Sequence, residues 1–197
     1  ASTMEDVRRA VNAALNVNEN LALLQCNTNY TASLENFKYI QLNVLSLYKQ
    51  MYPNIVLGLS DHTPGHTTVL GAVALGARMI EKHFTDNVNL KGPDHKFSMD
   101  PKSWFEMVRR TRELEKSLGT GNKKIENNEA ETVVVQRRSI RLSKDLKAGN
   151  ILTKNDLIML RPCPLDGIPP YHLESIIGKK IRKDTKAGEH VKWIDLE

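Results

Sequence analysis

The chain has 197 residues, 40% of them hydrophobic and 26% charged, a globular make-up with room for one medium domain and one small one. No apolar run approaches the roughly 18 residues that a bilayer crossing needs, and no basic stretch leads into an apolar core at the start, so a cytoplasmic protein without membrane contact is expected. The net charge of +5 is uneven: Lys+Arg and Asp+Glu number 15 each through residue 132, then 13 against 8. The basic tail favours anionic partners, but its charges are scattered and lack interleaved aromatics, which argues against nucleic acid.

Ser2 with Glu5 reads as a capping box, and Val7, Ala10, Val11, Ala14 and Leu15 recur at helical spacing behind it. Leu21-Ala22-Leu23-Leu24 is short and apolar, a buried strand ending on the polar cluster Cys26-Asn27-Thr28-Asn29-Tyr30. Phe37, Ile40, Val44, Leu47 and Met51 predict one helix. The run from Asn54 to Leu59 predicts the next strand, ending on Ser60-Asp61-His62. Thr67 to Ala77 is a small-residue helix, and Met79-Ile80-Glu81-Lys82-His83 a third strand. After the turn Gly92-Pro93-Asp94, Asp100 caps a helix with Pro101 in its first turn and Trp104, Phe105, Val108 and Leu114 on its apolar side.

Strands alternating with helices imply a parallel sheet with right-handed crossovers. Three such units cannot close an eight-stranded barrel, and residues 1–118 are expected to be its last three β/α units, with the earlier strands absent. A polar, glycine-containing stretch, residues 119–132, reads as a linker. Beyond it, residues 133–197 predict a compact, mostly β module with short strands at Val133–Val135, Ser139–Leu142, Ile158–Leu160 and His190–Lys192. The module repeats itself: Lys144-Asp145-Leu146-Lys147-Ala148-Gly149, followed by Asn155-Asp156-Leu157, returns 39 residues later as Lys183-Asp184-Thr185-Lys186-Ala187-Gly188, followed by Ile194-Asp195-Leu196. Two copies predict a pseudo-twofold fold.

His62 and His83 are the leading candidates for chemistry. Each ends one of two consecutive strands, and neighbouring strands lie about 4.8 Å apart, so the two imidazoles can share one cation. Two histidines completed by water and substrate oxygens suit Mn²⁺, Fe²⁺ or Mg²⁺ better than a closed structural zinc site. The alternative is that each is a satisfied polar group at a strand end. His66 follows Pro64-Gly65 and reads as loop or helix cap. Asp61 reads as a residue that holds the loop or orients a histidine, Asp94 as a turn residue. Ser60 and the Asn27-Thr28-Asn29-Tyr30 cluster offer neutral donors suited to a phosphate or sugar hydroxyl. Arg161, before Pro162, is either a surface charge or a fork for a carboxylate, phosphate or carbonyl. Cys26 and Cys163 are far apart and outside any CxxC spacing, so both are expected as free thiols.

Gly58-Leu59-Ser60-Asp61-His62-Thr63, Glu81-Lys82-His83-Phe84-Thr85 and Gly92-Pro93-Asp94, in this order, resemble the sialic acid synthase (N-acetylneuraminate synthase) family. The tail from about Val133 is similar to the antifreeze-like, or SAF, domain that follows its barrel. The resemblance implies an α/β fold, part of a TIM (β/α)8 barrel joined to a β-clip SAF domain. It implies condensation of phosphoenolpyruvate with an N-acetylated hexosamine, such as N-acetylmannosamine, to a nine-carbon 2-keto sugar acid with release of phosphate. It further implies Mn²⁺ or Mg²⁺ on His62 and His83, Ser60 with Asn27 or Thr28 at the phosphate, Tyr30 and Asp94 at the amino sugar, and Arg161 reaching the partner's site in a domain-swapped homodimer. Gln25, Thr31 and Val135 depart from the family's pattern. The family's acidic residue and lysines that grip phosphoenolpyruvate have no counterpart here, so the chain alone is expected to be inactive. The competing readings are a carbohydrate- or protein-binding fragment presenting the SAF domain, and a different barrel metalloenzyme such as an aldolase, which would have no reason to carry this tail.

Overall fold

A computed structural model describes residues 1–197, which divide into two units, Ala1–Asn122 and Lys123–Glu197. In the first, α1 (Met4–Leu15), β1 (Ala22–Cys26), α2 (Val44–Met51), β2 (Val56–Asp61), α3 (Thr67–Ala74), β3 (Met79–Lys82) and α4 (Pro101–Leu118) follow in order. The three strands form one parallel sheet in the order β1-β2-β3.

Alternation along the strands sorts the sheet into two unlike faces. Leu23, Leu57, Leu59 and Ile80 point to one, where Leu45 and Tyr48 of α2, Ala72 of α3 and Val7 of α1 cover them. Val69, Met99 and Met107 extend this layer under Ile80 and Trp104. The other face carries Val56 and Met79, each 45% exposed. At its centre Gly58 is obligatory, since a Cβ there would lie 2.6 Å from the Met79 carbonyl oxygen and 2.8 Å from Leu24 Cγ.

Two local expectations are corrected and a third stands. The cap of α1 is Thr3, not Ser2, and its reciprocal partner is Asp6 rather than Glu5. The helix expected through residues 37–51 is broken: a 3-10 turn spans Leu34–Tyr39, Gln41 has φ of 54°, and only then does α2 begin. The cap at Asp100 stands as expected, exchanging hydrogen bonds with Ser103 ahead of Pro101.

In the second unit, Val133–Val135 is not a strand but part of α5 (Ala130–Gln136), which follows a 3-10 turn at Asn127–Glu129. β4 (Ser139–Leu142) and β5 (Leu157–Leu160) pair antiparallel, and α6 (Leu173–Ile176) is a single turn. His190 makes one isolated bridge with Arg141 rather than opening a strand. Ile140, Leu142, Leu152, Ile168, Ile176 and Ile181 form the core.

The 39-residue repeat is a pseudo-twofold in atomic detail. Leu146 and Thr185 lie across the axis and exchange both backbone hydrogen bonds at 2.9 Å. Lys147 pairs with Asp184 at 2.6 Å and Lys186 with Asp145 at 2.7 Å. Each of these carboxylates also accepts a backbone N–H from the opposite copy, Ala148 or Ala187. Gly149 and Gly188 both have φ of 85°, the left-handed turn that glycine takes without steric cost. Further out, Lys144–Asp156 at 2.7 Å matches Lys183–Asp195 at 3.0 Å.

Asp156 is buried, and the Lys144 ammonium, with the Thr153 hydroxyl, pulls its carboxyl down to about 2. A depressed carboxylate contributes stability that is full above its unfolded value of about 3.9 and is lost as the pH falls through its folded value. The second unit should therefore lose stability between about pH 4 and pH 2. Asp156→Asn should lower its melting temperature at pH 7 and flatten that acid slope. Melts followed through the β4 and β5 amide signals check this, and an unchanged slope in the variant would contradict it.

Candidate active site

In the registered parallel pairs, Ser60 faces Glu81 and Asp61 faces Lys82. The next residue on each strand is a histidine, so His62 and His83 leave the sheet side by side. Their ring centroids are 5.1 Å apart. Alternation puts Ser60, His62, Glu81 and His83 on the face away from the helices, with Asp61 and Lys82 on the helix side.

Asp61 and Lys82 form an ion pair at 2.6 Å with side chains 0% and 1% exposed. The Asp61 carboxylate also accepts from the Thr63 backbone N–H at 3.1 Å, the Thr63 hydroxyl at 2.9 Å and the Thr68 hydroxyl at 2.6 Å. Lys82 Nζ donates a second bond, also 2.6 Å, to the Thr63 carbonyl. His62 is thus held between two residues tied to one carboxylate, and His83 directly follows the lysine that completes the tie. Asp61 does hold the loop, as one of its two sequence readings had it. Lys82, Thr63 and Thr68 went unread, although Asp-His and Lys-His at successive strand ends carry the signal: opposite charges, each preceding a histidine.

The imidazoles are oriented as well as placed. His62 Nδ1 lies 2.9 Å from the Asn27 carbonyl oxygen, which only accepts, so Nδ1 carries the proton and Nε2 keeps its lone pair. His83 Nδ1 lies 3.5 Å from Asp94 Oδ2, again an acceptor. In the neutral ring His62 Nε2 is therefore available to a ligand, with the His83 imidazole close beside it, and an acceptor behind the ring is how metal-binding histidines are usually oriented. No group of three or more His, Cys, Asp or Glu side chains is arranged to hold a metal. The pair suits an ion that takes its remaining ligands from water and substrate.

Tyr30, 57% exposed, lies over His62 with centroids 4.1 Å apart and stands 5.5 Å from His83. Ser60 Oγ donates to Glu81 Oε1 at 2.8 Å, a partner that sequence reading left out. Asn27 serves mainly its own loop: its amide donates to the Tyr39 carbonyl and its side-chain oxygen accepts from the Asn29 N–H. Thr28 Oγ1 accepts from the Ala1 amino group at 3.2 Å. His66 is the N-cap residue of α3. Tyr30, Asn27, Thr28, Ser60, His62, His83 and Asp94 therefore gather at one end of the sheet. Arg161 belongs to the second unit, where it follows β5 and its Nε donates to the Gln136 carbonyl at 2.7 Å.

Residues 1–123 match the NeuB family model and residues 137–197 the SAF domain model. The chain belongs to the NeuB family. It is 36% identical over 199 residues to the N,N'-diacetyllegionaminic acid synthase of Legionella pneumophila, covering 98% of this chain and 54% of that one. To the human N-acetylneuraminate-9-phosphate synthase it is 30% identical, over 91% of this chain and 49% of that one. It thus spans about half the length of the curated relatives it matches. Among solved structures, the N-acetylneuraminic acid synthetase of Leptospira borgpetersenii superposes with a TM-score of 0.59 at 29% identity, over 68% of this chain and 45% of that one. The fold is the family's: a portion of a parallel α/β barrel followed by a small SAF domain.

Removing one member of a buried ion pair leaves the other charge unpaired, at a cost of about 3–5 kcal/mol. Lys82→Met should destabilise the first unit by that order, while Asp61→Leu with Lys82→Met should recover only part of the loss, because Thr63 and Thr68 then lack their acceptor. Denaturation followed through the β2 and β3 amides checks both. Equal loss in the single and double variants would show that the unpaired Asp61 charge is not what destabilises the single variant.

Proposed function

We propose that this chain carries the metal and sugar side of a nonulosonate synthase site, in which phosphoenolpyruvate condenses with an N-acetylated hexosamine, N-acetylmannosamine or a similar sugar, and phosphate is released. The observation that carries the proposal is the pair of imidazoles on adjacent strand ends, each with Nδ1 against an acceptor and Nε2 free. NeuB-family membership and the synthases among the relatives support the reaction class.

In this reading His62 and His83 hold Mn²⁺ or Mg²⁺, which when bound polarises the sugar aldehyde as a Lewis acid. Asp94, half exposed, has lone pairs left to accept from a sugar hydroxyl while it braces His83. Tyr30 offers the sugar an apolar wall and a phenol. Ser60, with Asn27 or Thr28, serves the phosphate by turning its proton from Glu81 to a phosphate oxygen. Arg161 reaches the site of a second copy in a domain-swapped homodimer, and the enzyme works in the cytoplasm. No helix is long and apolar enough to cross a membrane. The chain by itself is not expected to turn over, because the family's lysines that grip phosphoenolpyruvate have no counterpart among its residues.

Calorimetric titration with Mn²⁺ tests the reading. The chain should bind one ion, more tightly with phosphoenolpyruvate present, and His62→Ala and His83→Ala should each weaken binding by at least about 100-fold, about 2.7 kcal/mol. Binding that survives both substitutions would refute the two-histidine site.

A further inference from the structure

One buried side chain at the site is used by none of the roles above. Phe97 is 3% exposed and stands in the otherwise polar segment from Lys91 to Ser98. That segment folds back along the end of β3. Met99 N–H donates to the His83 carbonyl at 2.8 Å, Thr85 N–H donates to the Met99 carbonyl at 2.9 Å, and Phe84 bridges Met99 in parallel. The turn before it closes through Ser98, whose N–H and hydroxyl both donate to the Asp94 carbonyl, at 3.1 and 2.7 Å. Phe97 is thereby set against three rings at once: His83 at 5.0 Å, His62 at 6.1 Å and Tyr30 at 6.1 Å, with interplanar angles of 68°, 79° and 74°.

These distances and angles are those of edge-to-face aromatic packing. The contact bears on an ambiguity that hydrogen bonds alone leave open. An imidazole turned over about its Cβ–Cγ bond exchanges the sides on which its nitrogens lie, and the His83–Asp94 contact, at 3.5 Å with Asp94 half exposed, is a weak restraint against that turn. A buried ring packed against both imidazoles hinders that turn.

We propose that Phe97 is a positioning residue of the histidine site: its ring locks His62 and His83 in the orientation that presents both Nε2 atoms together. The proposal rests on the two-histidine reading for its purpose, though not for its test. With histidine rings labelled in the full chain, ring relaxation and contacts from the imidazoles to Asn27 and Asp94 should show one rigid orientation of each ring. Phe97→Ala should bring exchange between orientations to His83 first, and Phe97→Met, which keeps apolar bulk without a ring, a smaller effect, while amide signals beyond residues 94–99 stay in place. In the same variants Mn²⁺ affinity should fall by about 10–100-fold, the usual cost of losing an outer support. Imidazoles as rigid in both variants as in the native chain would overturn the proposal. If the native chain binds no Mn²⁺, the metal reading fails while ring mobility still decides the role of Phe97.

Discussion

The site depends on the register between β2 and β3. Parallel pairing sets Asp61 opposite Lys82, and because side chains alternate, that one pairing decides what lies on both faces of the sheet. Toward the helices it places a carboxylate against an ammonium where neither can reach water, so a slip of β3 by one residue, which turns Lys82 to the other face, would leave Asp61 buried and unpaired. On the opposite face, one residue further, it delivers two histidines side by side. The ion pair thus contributes less to net stability than to uniqueness, penalising every register but the one that assembles the site.

Around this register the supports are layered by distance from the imidazole nitrogens. Asn27 sets which nitrogen of His62 carries the proton and Asp94 more weakly biases His83, Tyr30 and Phe97 confine the rings, and the Asp61–Thr63–Thr68–Lys82 network fixes the backbone from which His62 departs. Asn27, Tyr30 and Phe97 reach His62 from other segments of the chain, while Asp61 and Thr63 flank it. Preorganisation is therefore a property of the sheet end as a whole, in keeping with parallel α/β folds that place their chemistry at the carboxyl ends of strands.

Much of this was legible in the sequence, for identifiable reasons. The strands announced themselves as short apolar runs, and their polar ends located the histidines without any coordinates. The 39-residue repeat likewise foretold the pseudo-twofold, though not the Lys147–Asp184 and Lys186–Asp145 pairs that cross it. What escaped depended on contacts distant in the chain. The apolar period of residues 37–51 runs unbroken through a backbone break at Gln41, which carries neither glycine nor proline to mark it. Val133–Val135 is β-branched and reads as a strand, yet it lies behind the turn at Asn127–Glu129 and forms helix. Lys82 left only an indirect signal, the Lys-His that answers Asp-His one strand earlier, because its partner is 21 residues away, and Phe97 left none, because its meaning is three converging rings.

The central claim, that both histidines turn Nδ1 toward an acceptor and offer Nε2 to a common ligand, is tested most directly by the tautomeric state of the two rings. Long-range ¹⁵N–¹H correlation spectra of the metal-free chain, recorded at a pH where both imidazoles are neutral, report which nitrogen bears the proton. The account predicts the Nδ1–H tautomer at His62 and at His83. An Nε2–H tautomer at either would mean that the nitrogen assigned to the ligand is already occupied, and would contradict it.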